Sequence, residues 1–339
     1  MNWTIIPLLL LFSITIYFIT IIIHELGHLI CGLITGYKFE CLEIKWFAWY
    51  KDEKRIKFKI IKRDRKIGGQ CVMIPAEHYK DFKFFWYIFG GVLFNLLLAL
   101  IALLLFITLD PSYIIELMLI SIIIMNLFVS VSSLIPKEDN DGGLLLMGFR
   151  SDDHKRALHM MFFANGINEK LAKGMRLRDF PPEMFKITDD RAIVNKHIAR
   201  IVLLDAARLD DLAKHSLALK QLERVRQASL PLSCEACKQL KTAADISAMY
   251  HYATTSPCFE KVTAIYSDQS VQAFLAQDLP SNWQILSAYH FFVLGNQVKG
   301  WELLNKAKAA AINETNLGLK HTLIEGLAFL EDLMRHSDK

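Results

Sequence analysis

The sequence Ile21-Ile22-Ile23-His24-Glu25-Leu26-Gly27-His28-Leu29-Ile30 sets an H-E-x-x-H motif inside a run of apolar residues. On an α-helix, His24 and His28 lie about 40° apart on one face, one turn from each other, where two imidazoles can bind a single metal ion. Glu25 lies on the adjoining strip of the helix, from which it can take a proton from water at the metal without being a ligand. The motif therefore predicts a metal centre with a general base, the arrangement used in zinc hydrolysis.

The same three residues would also suit a buried polar patch or a proton relay, and H-E-x-x-H arises by chance in soluble helices. The surrounding sequence argues against chance, because residues 4–23 contain no charged side chain. Ionisable groups set deep in an apolar segment are costly and usually functional. We therefore interpret His24 and His28 as metal ligands and Glu25 as the catalytic base.

The composition is too apolar for a soluble protein of 339 residues. Hydrophobic residues make up 53% of the chain, the mean hydropathy is +0.27, and the excess is concentrated before residue 137. Three segments are long enough to span a bilayer, at about residues 3–34, 84–109 and 113–135. The first lacks the basic start and the small-residue cleavage site of a signal peptide and continues through the motif, so we expect it to be retained.

The basic residues predict the orientation. Lysines and arginines crowd residues 38–66, between the first two predicted spans, whereas the turn at residues 110–112 has none. The positive-inside rule then places the basic loop in the cytosol, the N-terminus and the tight turn outside, and everything after Pro136 in the cytosol. We expect a multi-pass protein of the cell membrane, of the bacterial plasma-membrane type. The net charge of +4 comes mostly from a loop facing anionic lipid, so it does not indicate nucleic-acid binding.

Within this basic loop the pattern of hydrophobicity changes. Residues 41–46 and 55–60 alternate apolar and polar side chains around a charged stretch at 51–54, which predicts a basic β-hairpin within residues 38–66. Two compatible interpretations stay open. The hairpin lies on the lipid headgroups, with Trp46, Trp49 and Tyr50 as interface anchors, or its edge holds a substrate in the extended form that proteolysis requires.

Two histidines are one ligand short of a catalytic zinc site, which has three protein ligands and one position left for water. The nearest carboxylates that can return to the cytosolic end of the first span are Asp139 and Asp141, because the third span ends on that side. We favour Asp141, since Gly142 and Gly143 permit an irregular backbone, which is tolerated at membrane depth where it lines a watery cavity. The alternative is that these acidic residues form a solvated linker.

The second span contains a lone polar side chain, Asn95. Gly90 and Gly91 lie about one turn before it and allow another backbone to come close. A role in helix packing through an interhelical hydrogen bond explains Asn95 without any function. The same explanation suits Asn126 and the serines at positions 130, 132 and 133 of the third span.

Three stretches together resemble the signatures of the site-2 protease family of intramembrane zinc metalloproteases. They are His24-Glu25-Leu26-Gly27-His28, Gly90-Gly91-Val92-Leu93-Phe94-Asn95, and Ser133-Leu134-Ile135-Pro136 followed by Asp141-Gly142-Gly143. The resemblance implies a three-span catalytic core with one Zn²⁺. It assigns the metal to His24, His28 and Asp141, the activation of water to Glu25, and the positioning of the substrate to Asn95.

The resemblance covers about residues 20–148 and has two departures. The family commonly has proline where this chain has Val92, and asparagine where it has Ser133. Neither position is a metal ligand, so the departures concern the geometry near the substrate and leave the expected zinc binding intact.

From Ser151 onward the chain has the pattern of a soluble helical protein. We expect linker helices at residues 149–189 and a cytosolic all-α domain of amphipathic helical hairpins at residues 190–339. Residues 288–307 resemble one tetratricopeptide unit, and residues 203–222 resemble another less closely. Such helical repeats usually bind a peptide or a protein partner, although the domain can instead stabilise a dimer.

The six cysteines are spread over both halves of the chain. In a reducing cytosol we expect free thiols and no disulfides. The C-x-x-C at Cys234 and Cys237 would need two further ligands, such as His251 and Cys258, to hold a structural zinc ion. We therefore prefer free helical thiols.

The sequence thus predicts an α-helical membrane protein with a three-span, site-2-protease-like core at residues 1–148, a small cytosolic β-hairpin and a soluble helical-hairpin domain. The expected activity is zinc-dependent cleavage of a single-span membrane protein or a short amphipathic peptide. Such cleavage would release a membrane-held regulator, or mature and clear peptides such as pheromones. Two alternatives are a metal-binding or transport protein without hydrolysis, and a scaffold whose membrane part is an anchor for the helical domain.

Overall fold

A computed structural model describes residues 5–52, 55–61, 68–109, 111–138, 140–231 and 233–337. The chain divides into two compact units between residues 163 and 164, within one long helix. Some predicted features lie outside the described residues: the start of the first span at 3–4, the hairpin turn at 53–54, the basic residues at 62–66, the turn residue 110 and the candidate ligand Asp139.

The first unit is built around three long apolar helices. Its helices are α1 (Ile5–Ile34), α2 (Phe84–Thr108), α3 (Tyr113–Leu134), α4 (Asp141–Arg150) and the start of α5 (Asp152–Ala172). The segments Leu11–Ile34, Tyr79–Thr108 and Tyr113–Leu134 are long and apolar enough to cross a membrane. The prediction of three such segments is confirmed in this form.

Between α1 and α2 lies a four-stranded antiparallel sheet. Its strands are β1 (Lys38–Ile44), β2 (Phe47–Asp52), β3 (Arg55–Ile60) and β4 (Gly69–Ile74), in the order β3-β2-β1-β4. The prediction of a two-stranded hairpin is therefore wrong in strand number. Residues 47–50 are all apolar or aromatic and show no alternation of apolar with polar side chains. The sequence pattern therefore does not predict β2. The only polar side chain of β4 is Gln70, so its alternation is lost as well.

One face of the sheet packs against the helices through β1 and β4, whereas the edge strand β3 is exposed. Buried side chains of β1 and β4 join residues of α1, α2, α4 and α5 in one hydrophobic core: Ile21, Leu42, Ile44, Cys71, Met73, Tyr87, Ile88, Leu145 and Leu158. The Tyr87 hydroxyl donates a hydrogen bond of 2.6 Å to the Cys71 carbonyl. This contact fixes β4 beside the helix face that carries the H-E-x-x-H motif. Every residue of β3, in contrast, is exposed.

Helices α1 and α2 approach each other closely at two glycines. A Cβ atom on Gly27 would collide with the backbone carbonyl of Gly90, and a Cβ on Gly90 would collide with the carbonyl of Gly27. The close approach expected at Gly90 is thus present, and the neighbouring backbone is the H-E-x-x-H turn itself. As a result, the following residues of α2 face the histidines.

Within its described residues the second unit is helical. Its helices are α6 (Lys196–Asp211), α7 (His215–Gln227), α8 (Glu235–Ala253), α9 (Phe259–Tyr266), α10 (Gln269–Leu275), α11 (Pro280–Ala288), α12 (Gln297–Ala311) and α13 (Leu317–Ser337). Short 3₁₀ turns at Leu177–Asp179, Pro182–Met184 and Asp190–Val194 precede them, and a π-helical turn at Tyr289–Val293 follows α11. The sequence did not predict α9 and α10, which have only 8 and 7 residues and too few turns to show a clear period.

Neighbouring helices of this unit pack as hairpins, as in the pairs α6 with α7 and α11 with α12. Small residues lie where α12 meets its partner: Ala307 is fully buried, and a Cβ on Gly300 would lie 2.8 Å from Cβ of Phe291. The helical-hairpin pattern is therefore present. Its identity as a tetratricopeptide domain stays a prediction.

Candidate metal centre

His24, His28 and Asp141 converge on one point, with ligand atoms that all lie within 4.8 Å of one another. The Nε2 atom of His24 lies 2.9 Å from Oδ2 of Asp141 and 3.2 Å from Nε2 of His28, which in turn lies 3.5 Å from Oδ1 of Asp141. Tetrahedral ligands at roughly 2.0–2.1 Å from a metal ion are separated from one another by about 3.3 Å. The observed separations bracket that value, so these side chains can hold one metal ion.

The hydrogen bonding of His28 leaves its Nε2 atom available as a metal ligand. Its Nδ1 atom lies 2.8 Å from the backbone carbonyl of Tyr87, which can only accept a hydrogen bond. In a neutral imidazole the proton is then on Nδ1, and Nε2 presents a bare lone pair to the Asp141 carboxylate. Two acceptors facing each other repel, so either a proton on Nε2 or a bound metal ion must lie between them. This arrangement is typical of a metal-binding histidine oriented by a backbone carbonyl.

Asn95 contacts the other side of His24. Its amide nitrogen lies 3.1 Å from Nδ1 of His24, and its side chain is completely buried. Within the described part of the chain, its Oδ1 atom has no hydrogen-bond partner. If Nε2 of His24 binds a metal ion, Nδ1 carries the proton and needs an acceptor. Rotating the Asn95 side-chain amide by 180° exchanges the positions of its nitrogen and oxygen without changing its shape. Oδ1 is then the acceptor for the Nδ1 proton of His24.

The structure therefore places Asn95 behind His24, a candidate metal ligand. The role implied by the family resemblance, positioning of the substrate, would need the buried amide to become accessible. Contact with His24 is the role that this geometry supports.

Asp141 reaches the histidines from the first turn of α4. Asn140 caps this helix by accepting a hydrogen bond of 2.9 Å from the Gly143 backbone N–H. The predicted irregular backbone at Gly142 and Gly143 is thus wrong, since both belong to a regular helix. Gly142 instead allows a close approach, because a Cβ there would collide with the Leu134 carbonyl at the end of α3.

The carboxylate of Asp141 is largely buried, with 16% of its side chain exposed. Burial alone would raise the pKa of Asp141, but the charge and hydrogen bonds of His28 and His24 hold that pKa well below its ordinary value. The group is therefore ionised at neutral pH, as a metal ligand must be.

Glu25 lies next to this ligand group without belonging to it. Its carboxylate accepts a hydrogen bond from the Cys71 backbone N–H, and a Cβ on Gly69 would lie 2.7 Å from its Oε1 atom. Strand β4 thus passes directly beside the candidate base. The sequence motif predicts Glu25, whereas Gly69, Cys71 and Tyr87 lie far from it along the chain and form no motif that would predict their place in the site.

The lack of a side chain at Gly91 provides the space in which the two imidazoles meet. A Cβ atom there would lie 2.5 Å from Nε2 of His28 and 2.6 Å from Nε2 of His24. The sequence predicts the same role, close helix packing, for Gly90 and Gly91. The structure separates them, because Gly90 contacts the backbone of Gly27 whereas Gly91 faces the ligand atoms.

A second group of possible ligands lies in the other unit. Asp210, His215 and His251 also have ligand atoms within 4.8 Å of one another. The sequence had connected His251 only with Cys234, Cys237 and Cys258. All six cysteines are free thiols, and no metal-ligand group found among the described residues contains one.

Comparison of the chain with protein-family models, with curated proteins and with solved structures finds no match. The resemblance to site-2 proteases therefore stays a prediction. The structure itself shows two buried histidines and a partly buried aspartate that can hold a metal ion, with a glutamate beside them. Both histidines and the glutamate lie within an apolar helix.

Proposed function

We propose that this protein is an intramembrane zinc endopeptidase. One observation carries the proposal: the Nε2 atoms of His28 and His24 both face the Asp141 carboxylate, at 3.5 Å and 2.9 Å, and lie 3.2 Å from each other. A metal ion bound by all three side chains would stabilise this arrangement. Glu25 adds the general base that separates a hydrolytic centre from a merely structural one.

The outward surfaces of the three apolar helices support a location in the membrane. Large side chains on α1, α2 and α3 are more than half exposed, among them Leu33, Ile101, Ile107 and Phe128. Contiguous apolar surface of this extent is rare on soluble monomers. A lipid environment would cover it. His24, Glu25 and His28 belong to a helix that crosses this environment and point into the protein, where each is less than 9% exposed.

The donor set suits zinc. Two imidazole nitrogens and one carboxylate oxygen are the ligands of many hydrolytic zinc sites, which keep the fourth position for water or substrate. When bound, zinc supplies a Lewis acid that polarises the scissile carbonyl and activates the attacking water.

The residues of the chain then perform the proton transfers. The Glu25 carboxylate takes a proton from the attacking water while the water oxygen bonds to the carbonyl carbon. Glu25 returns that proton to the nitrogen as the carbon–nitrogen bond breaks, so the products are a carboxylic acid and an amine, which become a carboxylate and an ammonium group by proton transfer. Tyr87 and Asn95 hold the imidazoles of His28 and His24 in the orientation that binding requires.

The substrate in this proposal is a single-span membrane protein or a short amphipathic peptide. A peptide bond inside a helix is shielded, so the segment must unwind near an extended partner. We place that segment beside β4, whose backbone at Cys71 already bonds the Glu25 carboxylate. The exposed strand β3, with basic residues alternating with Ile56, Phe58 and Ile60, suits the headgroup interpretation better.

In the cell we place the basic sheet, α4 and the second unit in the cytosol, by the positive-inside rule. Cleavage at the cytosolic end of α1 would release a regulator from the membrane, or shorten small peptides. The helical unit would select substrates through a protein partner.

Removal of the metal should abolish cleavage reversibly. Purified protein in detergent micelles is mixed with a detergent extract of host membranes, and new peptide N-termini are counted by mass spectrometry. We expect a zinc chelator to remove the new termini, added zinc to restore them, and a non-chelating isomer of the chelator to have no effect. Cleavage that persists after complete metal removal would contradict the proposed mechanism, and restoration by iron but not by zinc would contradict the choice of metal.

Replacing Asn95 with leucine should weaken zinc binding by about 10- to 100-fold, since outer hydrogen-bond partners of metal ligands typically contribute that much. Asn95→Asp should retain the affinity, because it accepts the same bond from His24. Asn126→Leu is the matched control, as Asn126 is equally buried but bonds the carbonyl of Ile122 on its own helix. Affinity is measured by competition with a zinc-binding dye. Equal affinity of Asn95→Leu and the native protein would restrict Asn95 to packing or to substrate binding.

A further inference from the structure

The second unit contains a carboxylate whose partners differ from those of its neighbours. Helix α6 carries three largely or partly buried aspartates, Asp205, Asp210 and Asp211. Asp205 bonds Arg208, and Asp211 bonds Arg176. Among the described residues no lysine or arginine bonds Asp210, whose carboxylate instead pairs with the imidazoles of His215 and His251. Of these three aspartates, Asp210 is thus the one whose negative charge is not paired with a described lysine or arginine.

The two imidazoles reach Asp210 from two further helices. Nδ1 of His215, the first residue of α7, lies 3.2 Å from Oδ1, and Nε2 of His251, near the end of α8, lies 3.1 Å from Oδ2. The three ligand atoms lie within 4.8 Å of one another. The two nitrogen–oxygen separations are close to the spacing of about 3.3 Å between ligands of a tetrahedral zinc ion.

Contacts outside the group orient both rings. The remaining ring nitrogen of His251 lies 3.1 Å from the Thr255 hydroxyl, and only 1% of the His251 side chain is exposed. The ring of His215 stacks on Phe329, with centroids 4.9 Å apart and planes inclined by 26°. Rings held in this way lose little freedom when they bind an ion, as in natural metal sites.

The group is also accessible. The side chain of Asp210 is 35% exposed and that of His215 is 24% exposed. An ion can therefore enter from solvent and keep water in its open positions, while His251 forms the buried wall of the site.

We propose that Asp210, His215 and His251 form a second metal site, which takes a divalent transition-metal ion such as zinc. The ion would join the end of α6, the start of α7 and the end of α8, and would neutralise Asp210. The site is independent of the proposed protease activity, because its ligands all belong to the second unit.

The test counts bound zinc in the full-length chain. The first centre is removed by the double substitution His24→Ala and His28→Ala, and the protein is purified in detergent, stripped with a chelator and equilibrated with buffered zinc. We expect one zinc ion per chain by elemental analysis. Adding His215→Ala should weaken binding by more than about 100-fold, since losing only an outer partner typically costs 10- to 100-fold.

Two further variants separate metal binding from a structural role. Asp210→Asn preserves the shape of the side chain and can still bond one imidazole, but it should lose the zinc with the helix content by circular dichroism unchanged. His336→Ala removes an exposed histidine paired with Asp332 four residues away and should keep the zinc. Absence of zinc from the double variant, or undiminished binding after Asp210→Asn and His215→Ala, would show that the two imidazoles only donate hydrogen bonds to Asp210.

Discussion

Replacing Gly91 with alanine should remove one bound zinc ion per chain. The added methyl group would lie 2.5 Å from Nε2 of His28 and 2.6 Å from Nε2 of His24, which is closer than any carbon can approach an uncoordinated nitrogen. The two nitrogens are 3.2 Å apart, so the methyl occupies the space that a shared metal ion would fill. Moving α2 away from α1 to relieve this clash would open the close packing of Gly90 against the backbone of Gly27.

The rings of His24 and His28 would therefore have to separate, and the ligand set would no longer fit one ion. Extra methyl groups in well-packed interiors typically cost about 1–3 kcal/mol, so the fold should survive while the metal centre does not. Zinc content by elemental analysis is the measurement. The control is Leu100→Ala, an alanine at an exposed position of the same helix. Full zinc content in Gly91→Ala would show that the ion, if any, is bound elsewhere.

Replacing Glu25 with glutamine should abolish cleavage while the zinc is retained, in contrast to Gly91→Ala, which should lose the zinc. The glutamine side chain has the same shape, and its amide oxygen can still accept the Cys71 N–H. Glu25 lies outside the ligand group, so zinc content should stay at the native level. Loss of a general acid–base group typically lowers the rate by about 10²- to 10⁴-fold.

A variant that binds zinc but cannot cleave should retain its substrate. We expect uncut membrane segments to co-purify with Glu25→Gln and to be absent from Gly91→Ala, which lacks the ion. A metal-binding or transport protein would behave differently, since Glu25→Gln would leave its function intact. A scaffold would tolerate both substitutions and would fail only when residues 190–339 are deleted.

The parts of the centre that could be predicted are those with a short-range or topological signature. His24 and His28 follow from helical spacing alone. Asp141 lies 117 residues from His24, yet it followed from counting spans, because the third apolar segment must end on the side where the first one ends. Asp139, the other candidate, lies outside the described residues.

The parts that could not be predicted depend on packing between distant segments. Strand β4 has no alternating pattern, so nothing in the sequence indicated that Cys71 would bond Glu25. Gly91 looked like its neighbour Gly90, and only the rotation of α2 against α1 separates their roles. Asp210, His215 and His251 come from three helices, with His251 lying 41 residues from Asp210, and no spacing rule connects them.

The central claim is tested most directly by comparing the membrane and cytosolic peptides of host cells that carry either the native protein or Glu25→Gln. Mass spectrometry of both fractions reports uncut segments and newly formed termini together. We expect particular membrane segments to accumulate uncut with Glu25→Gln, and the termini that lie within those segments to vanish. Indistinguishable peptide sets under several growth conditions, from proteins with equal zinc content, would contradict the assignment as a protease.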